Sequence, residues 1–210
     1  MRKFLKWLDN YWYHNKIITL IVLFFVFSGI VYATNIIQKR DPDFVVVYVS
    51  GQYGNESQFA PIREKVEDIV GDLDGDGRKT INYRIIAIRD NIIESYDVNK
   101  KLEFDYSLLD KSARLYLIEE KYAKEKAAYF IPLEDILPPE KLEDGIKNEE
   151  GKVIAIPLRD NAVGKKMQLD QGNMYVAMKA LMDLERNDEL ANKGVEKAKE
   201  IFTYIANEGK

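Results

Sequence analysis

The segment Phe44-Val-Val-Val-Tyr-Val49 is a short, continuous apolar run rich in β-branched residues, and Ser50-Gly51 ends it. Such a run is typical of a strand buried on both faces. A second run, Ile81 to Ile88, has the same character. The residues between them include Asn55 and Gln58, a capping pair for a helix start. The apolar residues that follow at helical spacing are Phe59, Ile62, Val66, Ile69 and Val70, before a terminating Gly71. Strand, helix and strand predict a βαβ unit with parallel pairing.

Further elements follow toward the C-terminus. Strands are predicted over 114–118, 152–158 and 174–180, and a short helix lies between the first two, within 119–129. Residues 90–112 are polar and mixed, and predict only a short helix within 106–112. A final amphipathic helix has its apolar face at Ala191, Val195, Ala198, Phe202 and Ile205. Alternating strands and helices predict an α/β domain with a mixed, mainly parallel sheet flanked by helices.

The residues before this domain include an uncharged apolar run, Ile17 to Ile37. A helix needs about 20 mostly apolar residues to cross a bilayer, so this run predicts a single transmembrane helix. Aromatic residues precede it, where they sit well at the headgroup level. The predicted organisation is a cytoplasmic tip over 1–16, the membrane helix over 17–37, a linker over 38–43 and an outer domain over 44–210. The anchor residues that carry this interpretation are Trp7, Trp12, Ile17, Leu20, Phe24, Phe25 and Ile30.

Positive and negative charges are concentrated in different parts of the chain. Six basic residues and one acid give residues 1–40 a charge of +5, and the whole chain carries −4, which leaves −9 for residues 41–210. Basic residues near a span tend to stay in the cytoplasm, so the N-terminus is predicted inside and the domain outside. The alternative is a signal peptide cut after Ala33, where Val31-Tyr32-Ala33 offers small or short residues. A lipid anchor of the bacterial kind would need a cysteine.

Composition excludes several function classes. The chain has no cysteine and one histidine, His14, which lies before the predicted span. Disulfides, thiolate nucleophiles and cysteine-zinc sites are therefore excluded. The predicted outer domain also lacks the histidine that a Ser-His-Asp triad or a His-ligated metal would require. Its negative charge argues against nucleic acid as a partner.

The loop Asp72 to Thr80 is the sharpest local motif. Asp72, Asp74 and Asp76 alternate and Gly77 follows, which supplies the oxygen ligands and the turn that calcium loops use. In that register the Arg78 carbonyl and Thr80 occupy the next ligand positions. The twelfth position, usually a bidentate Glu, is Tyr83. Calcium is thus a possible cofactor, and a solvated helix-to-strand turn is the alternative.

Three residues are candidates for binding a ligand. Glu119 and Glu120 follow a predicted strand, and α/β sheets often bind ligands beyond strand ends. Tyr53 follows the first strand, where an aromatic ring can stack on a sugar or a peptide. The simpler interpretations are a solvated helix start for the carboxylates and a half-buried strand position for the tyrosine.

A family resemblance covers about Asp110 to Leu158. The segments that carry it are Arg114-Leu-Tyr-Leu-Ile-Glu-Glu-Lys-Tyr-Ala123, Tyr129-Phe-Ile-Pro-Leu-Glu-Asp-Ile-Leu137 and Gly151-Lys-Val-Ile-Ala-Ile-Pro-Leu158. They resemble consecutive segments of type 2 extracellular solute-binding proteins of ABC transporters. The resemblance implies a shortened, helix-anchored lobe of that fold, a small solute as ligand and a permease as partner. The chain departs from the family in length, in the missing lipid-anchoring Cys, and at Ile154-Ala155, where Tyr-Gly is common.

Together these observations predict a single-pass protein of a bacterial cell envelope, with the lipid bilayer as one partner and an outer domain that binds rather than catalyses. Its ligand would be a small solute such as a sugar or a peptide. The alternative is a structural or assembly role, in which the domain docks on a membrane protein. A carboxylate-dependent enzyme is the third possibility.

Overall fold

The computed structural model describes residues 2–38, 41–89, 95–159, 161–169 and 173–207. The chain divides into two compact units, residues 1–41 and residues 42–210. The first unit is a long helix, α1 (Arg2–Gln38). The second unit contains every strand among the described residues.

Helix α1 is apolar enough to cross a membrane. The 24 residues from Tyr11 to Thr34 have a mean hydropathy of 2.5, and none of the apolar window is buried against protein. An apolar helix exposed all round is what a lipid environment requires. Among the described residues, this N-terminal helix is therefore the one compatible with a transmembrane or signal anchor. It is continuous across residue 16, where the predicted tip ends. The predicted linker includes residues 39–40, which lie outside the described residues.

The second unit alternates strands and helices, which confirms the predicted α/β class. Its strands are β1 (Phe44–Ser50), β2 (Ile81–Ala87), β3 (Ala113–Glu119), β4 (Ile146–Lys147), β5 (Val153–Pro157) and β6 (Met174–Met178). Its helices are α2 (Ala60–Val70), α3 (Ser95–Leu109), α4 (Glu120–Glu125), α5 (Ala162–Lys166) and α6 (Glu189–Asn207). Short 3-10 turns lie at Glu56–Phe59, Ala127–Tyr129, Pro139–Lys141 and Asp183–Glu185.

The strands form one sheet in the order β2-β1-β3-β6-β5-β4. Strand β1 pairs in parallel with β2 and β3, as the βαβ pattern predicted. The other three pairings, β3 with β6, β6 with β5 and β5 with β4, are antiparallel. The sheet is therefore mixed, and the expectation of a mainly parallel sheet was wrong. Strand β6 lies between β3 and β5 and runs antiparallel to both, and β4 is antiparallel to β5, so parallel pairing is confined to β1 with β2 and β3.

Helix α3 also corrects the sequence interpretation. It spans 15 residues, whereas the sequence predicted a short helix near its end. The sequence analysis missed most of this helix because of the distribution of its apolar residues. Residues on the inner face, Phe104 and Leu108, are buried, but apolar residues also lie on the outer face, so the polar stripe that marks an amphipathic helix is missing.

Helices cover both faces of the sheet. On one face, alternate β1 residues such as Val46 pack with α2, α5 and α6. On the other, the intervening residues such as Val47 pack with α3 and α4. All seven residues of β1 are buried, because this central strand has neighbours on both edges and helices on both faces.

A charged cluster is buried near the start of β3. The Glu185 carboxylate accepts hydrogen bonds from Arg114 at 3.1 Å and from the Lys179 ammonium at 3.3 Å. Lys179 also donates to the carbonyls of Leu108 and Asp110, at 3.1 and 2.7 Å, at the end of α3. The cluster thus ties α3 and the turn at Asp183–Glu185 to the sheet with two cations and one carboxylate.

Candidate functional site

The carboxyl ends of the parallel strands meet at one edge of the sheet. From β1 the chain crosses through α2 to β2 on one side, and from β2 it crosses through α3 to β3 on the other side. Helix α2, which follows β1, packs on one face of the sheet, and α4, which follows β3, packs on the other face, so the chain diverges beyond the ends of β1 and β3. This arrangement is the topological switch point at which α/β sheets commonly bind ligands.

A cleft of about 480 Å³ lies at this edge. Residues from three places in the sequence line it: the end of β1, the junction of β3 with α4, and the start of β6. Its lining residues are Gln52, Glu119, Glu120, Lys121, Lys124 and Asn173. The volume is within the range that suits a small ligand.

The Glu119 side chain joins β3 to the end of β1. One carboxylate oxygen accepts a hydrogen bond from the Ser50 hydroxyl at 3.1 Å, and the other accepts from the Gly51 backbone N–H at 3.1 Å. The Lys121 ammonium lies 3.5 Å from the second oxygen. With these partners, Glu119 is held in place as a fixed negative charge on the cleft wall.

The Glu120 carboxylate forms an ion pair with Lys124 across one turn of α4, at 2.6 Å. The pair raises the pKa of Lys124 through the hydrogen bond and the charge of Glu120. Burial raises the pKa of Tyr175, and the Glu120 charge raises it further. Lys124 therefore stays charged and Tyr175 stays neutral beside the cleft. The Glu120 backbone N–H also donates to the Asn173 carbonyl at 2.9 Å, which joins α4 to the residue before β6.

Tyr53 lies at the same edge of the sheet, in the loop after β1. The guanidinium carbon of Arg89, a residue that follows β2, lies 5.1 Å from the centre of the Tyr53 ring. This is cation–π distance. The three predicted ligand-binding residues, Tyr53, Glu119 and Glu120, thus follow neighbouring strands at one edge, although Tyr53 is outside the described lining of the cleft.

The predicted calcium loop is closed by its own hydrogen bonds. The Asp72 carboxylate accepts from the backbone N–H groups of Gly75, Asp76 and Gly77, at 2.8, 3.1 and 2.8 Å. Asp74 accepts from the N–H of Asp76, and Asp76 from the N–H of Arg78, both at 2.9 Å. These bonds satisfy the loop backbone in the manner of Asx turns.

Asp43, which the sequence analysis did not include, joins this loop. Its carboxylate accepts from the N–H groups of Leu73, Asp74 and Thr80 and from the Thr80 hydroxyl, at 2.8 to 3.2 Å. Carboxylate oxygens of Asp43, Asp72 and Asp74 lie within 4.8 Å of one another. Tyr83, at the twelfth position, is buried in the core and supplies no such ligand. Calcium therefore remains a prediction.

The sequence analysis did not identify the other residues that line the cleft. Lys121 follows the acidic pair directly. Lys124 lies four residues after Glu120, and this spacing was a usable signal for a helical ion pair. Gln52 lies beside Tyr53 in the sequence. Asn173 carried no signal, because only the antiparallel pairing of β6 with β3 brings it to this edge.

The comparisons with known proteins provide no identification. No family model, no curated protein and no solved structure matches the chain significantly. The resemblance of residues 110–158 to type 2 solute-binding proteins therefore stays a proposal. The geometry of the cleft is the firmest basis for a function.

Proposed function

We propose that this protein is a membrane-anchored extracytoplasmic binding protein whose α/β domain takes a small polar solute at the carboxyl edge of its parallel strands. The observation that carries the proposal is the position of the cleft at the switch point between β1 and β3. The apolar helix α1 supports the anchor, and the charge difference between residues 1–40 and 41–210 supports the orientation.

The lining residues favour a charged, hydrogen-bonding solute. Two carboxylates, two ammonium groups and two amide side chains face one small space. A ligand with both an amino and a carboxylate group, such as an amino acid or a short peptide, can pair with both kinds of charge. A sugar is the less favoured solute, because sugars commonly stack on aromatic rings. Among the described residues, the exposed ring near the cleft is Tyr53, and it lies outside the lining.

A thermal-shift screen of the full chain in detergent tests this function. We expect an amino acid or a di- or tripeptide to raise the melting temperature, since a ligand that binds only the folded state stabilises it. Lys124→Gln should abolish that shift. Its matched control is Lys193→Gln, which breaks an equivalent ion pair with Glu189 at 2.7 Å on α6. An equal loss of the shift in both variants, or no shift with any peptide, amino acid or sugar, would refute the cleft as a solute site.

A protein-contacting role is the second candidate. The observation that favours it is the outer face of α3, which is apolar and exposed. Exposed apolar faces of this kind mark protein interfaces. In this role the domain assembles with another protein at the membrane, with or without a solute in the cleft.

A further inference from the structure

Helix α3 has two apolar faces on opposite sides. Phe104 and Leu108 pack into the core, whereas four large apolar residues point away from it. These outer residues are Val98, Leu102, Tyr106 and Leu109, with exposed fractions of 56, 46, 67 and 56%. Their spacing of four, four and three residues places them in one stripe along the helix. We call these four residues the α3 stripe.

A lipid surface is a poor occupant for the α3 stripe. Helices that lie on membranes carry basic residues beside the apolar face. Here one flank of the helix has Lys101 followed by Asp105, so it carries charges of both signs. Residues 41–210 as a whole carry a net charge of −9. An anionic leaflet would repel such a domain. The α3 stripe is therefore better suited to a protein surface.

We propose that the α3 stripe is the interface for a second copy of this chain, packed antiparallel on α3. In this arrangement Val98 faces Leu109 of the second copy, and Leu102 faces its Tyr106. A two-fold axis at the middle of the helix then makes one stripe complementary to itself, as isologous dimers require. The inference deepens the protein-contacting role and does not depend on the solute cleft.

Charge supports the antiparallel direction. In an antiparallel pair, residues on the same flank of each helix meet across the interface. Lys101 therefore approaches Asp105 of the second copy, and the same contact repeats on the other side of the axis. The Asp105 carboxylate already pairs with Lys126 at 2.7 Å but remains about half exposed, so it can accept a second cation. Parallel packing would instead bring opposite flanks of the two helices together, so Lys101 would lose the contact with Asp105 of the second copy.

The size of the α3 stripe predicts a dimer that depends on the membrane. Four half-exposed apolar side chains supply on the order of 400 Å² per copy, against about 800 Å² per partner in a standard stable interface. Such a contact is weak between freely diffusing molecules. Anchoring both copies in one bilayer raises their effective concentration and strengthens the same contact without new interactions.

Disulfide cross-linking in membranes tests the proposal directly, because the natural chain has no cysteine. Two differently tagged full-length copies are co-expressed, one with Val98→Cys and the other with Leu109→Cys, and the membranes are oxidised. We expect the mixed pair to cross-link at least five-fold more than either variant with itself. In an antiparallel dimer, like positions lie about 16 Å apart along the helix, beyond the reach of a disulfide.

A second substitution separates the interface from chance collisions. Leu102→Asp added to both copies should reduce the mixed cross-link to background. Leu184→Asp is the control, since Leu184 is 96% exposed and lies outside the α3 stripe. It should leave the cross-link unchanged. Because both positions are exposed, neither change should prevent folding, and equal melting temperatures would verify that.

Several results would overturn the proposal. One is a mixed cross-link no stronger than the like pairs, and another is like pairs that dominate, which indicates parallel packing. Persistence of the cross-link in Leu102→Asp would assign it to another contact. Cross-linking of Val98→Cys to a different protein would keep the protein-contacting role but reject the second copy. The solute screen is independent of each of these outcomes.

Discussion

At the scale of single residues, the buried cluster of Arg114, Lys179 and Glu185 links charge to stability. One carboxylate pairs with two cations that water cannot reach, so it offsets only part of their charge. Burial alone would raise the pKa of Glu185, but the Met182 backbone N–H, Arg114 and Lys179 lower it overall. Glu185 is therefore ionised, and it offsets charge that would otherwise be uncompensated.

Removing that carboxylate should cost more than removing one cation. We expect Glu185→Gln to lower the free energy of unfolding by about 3 kcal/mol, because it leaves two buried cations unpaired. Lys179→Met should cost about 1 kcal/mol or less, since it leaves a balanced Arg114–Glu185 pair. Urea unfolding of the full chain in detergent, followed by near-UV circular dichroism, measures both. Asp183→Asn, on the exposed neighbour, should have no effect, and a larger cost for Lys179→Met than for Glu185→Gln would contradict this account.

Lys179 also predicts a pH dependence. Burial, and secondarily the Arg114 charge, lowers the pKa of Lys179 from 10.5 to about 8 in the folded state. Below pH 8 Lys179 is protonated in both the folded and the unfolded chain, and folding then includes the full free-energy cost of burying the charged ammonium group. Between pH 8 and 10.5 the folded chain releases the proton and the unfolded chain keeps it, so stability rises. The wild type should therefore gain stability relative to Lys179→Met from pH 8 to 10, and a constant or falling difference would contradict the assignment.

At the scale of elements, two helical glycines differ in the space around them. A Cβ added to Gly194, in α6, would lie 3.6 Å from the Arg114 side chain, an ordinary contact. A Cβ added to Gly164, in α5, would lie 2.3 Å from the Leu158 carbonyl oxygen, which is a clash with backbone. Gly194 thus tolerates a small side chain, and Gly164 requires its absence.

These positions give opposite predictions for the same substitution. Gly194→Ala should raise stability by about 0.5–1 kcal/mol, because alanine lowers the backbone entropy lost in a helix. Gly164→Ala should lower stability by about 1–3 kcal/mol through overpacking. Melting temperatures of the two variants measure the difference. Gly194→Leu serves as a size control and should reverse the gain; a stabilising Gly164→Ala would show that the turn after β5 adapts.

The acidic loop before β2 makes a prediction about metal. Its carboxylates already accept backbone N–H groups, and the twelfth position lacks a Glu. Any calcium should therefore bind no more tightly than about 1 mM, the weak end of extracellular calcium sites. The test is the melting temperature at 0, 0.1, 1 and 10 mM calcium, with Asp72→Asn as the control. A shift complete at 0.1 mM, or a large fall on adding a chelator, would contradict the expectation.

At the scale of the whole molecule, the chain joins an apolar helix to an acidic α/β domain. The charge of +5 before the domain and −9 after residue 40 favours an N-terminus inside and a domain outside. Protease added to intact cells should therefore degrade residues 42–210 while a cytoplasmic marker survives. The protein should also stay in the membrane fraction after an alkaline wash, as we expect for an uncleaved apolar helix of this length. A domain protected in intact cells would reverse the orientation, and release by the wash would indicate cleavage.

The sequence by itself determined those features that depend on local pattern. The apolar run at 17–37 indicated the membrane-compatible helix, and the two β-branched runs around α2 predicted the parallel pair. The capping pair is present as predicted, with Asn55 accepting from the Ser57 N–H and Gln58 accepting from the Asn55 N–H. These features follow from hydrophobicity, propensity and contacts within a few residues, so neighbours in the sequence are enough to specify them.

Only the tertiary structure decided the rest. The antiparallel direction of β6 and the place of Asn173 in the cleft depend on where strands distant in sequence pair. Asp43 reaches the acidic loop from thirty residues away. The full length of α3 was hidden because residues on both its faces are apolar, one set for the core and the other set exposed. Contacts between distant residues depend on how the whole chain packs, and no local pattern records them.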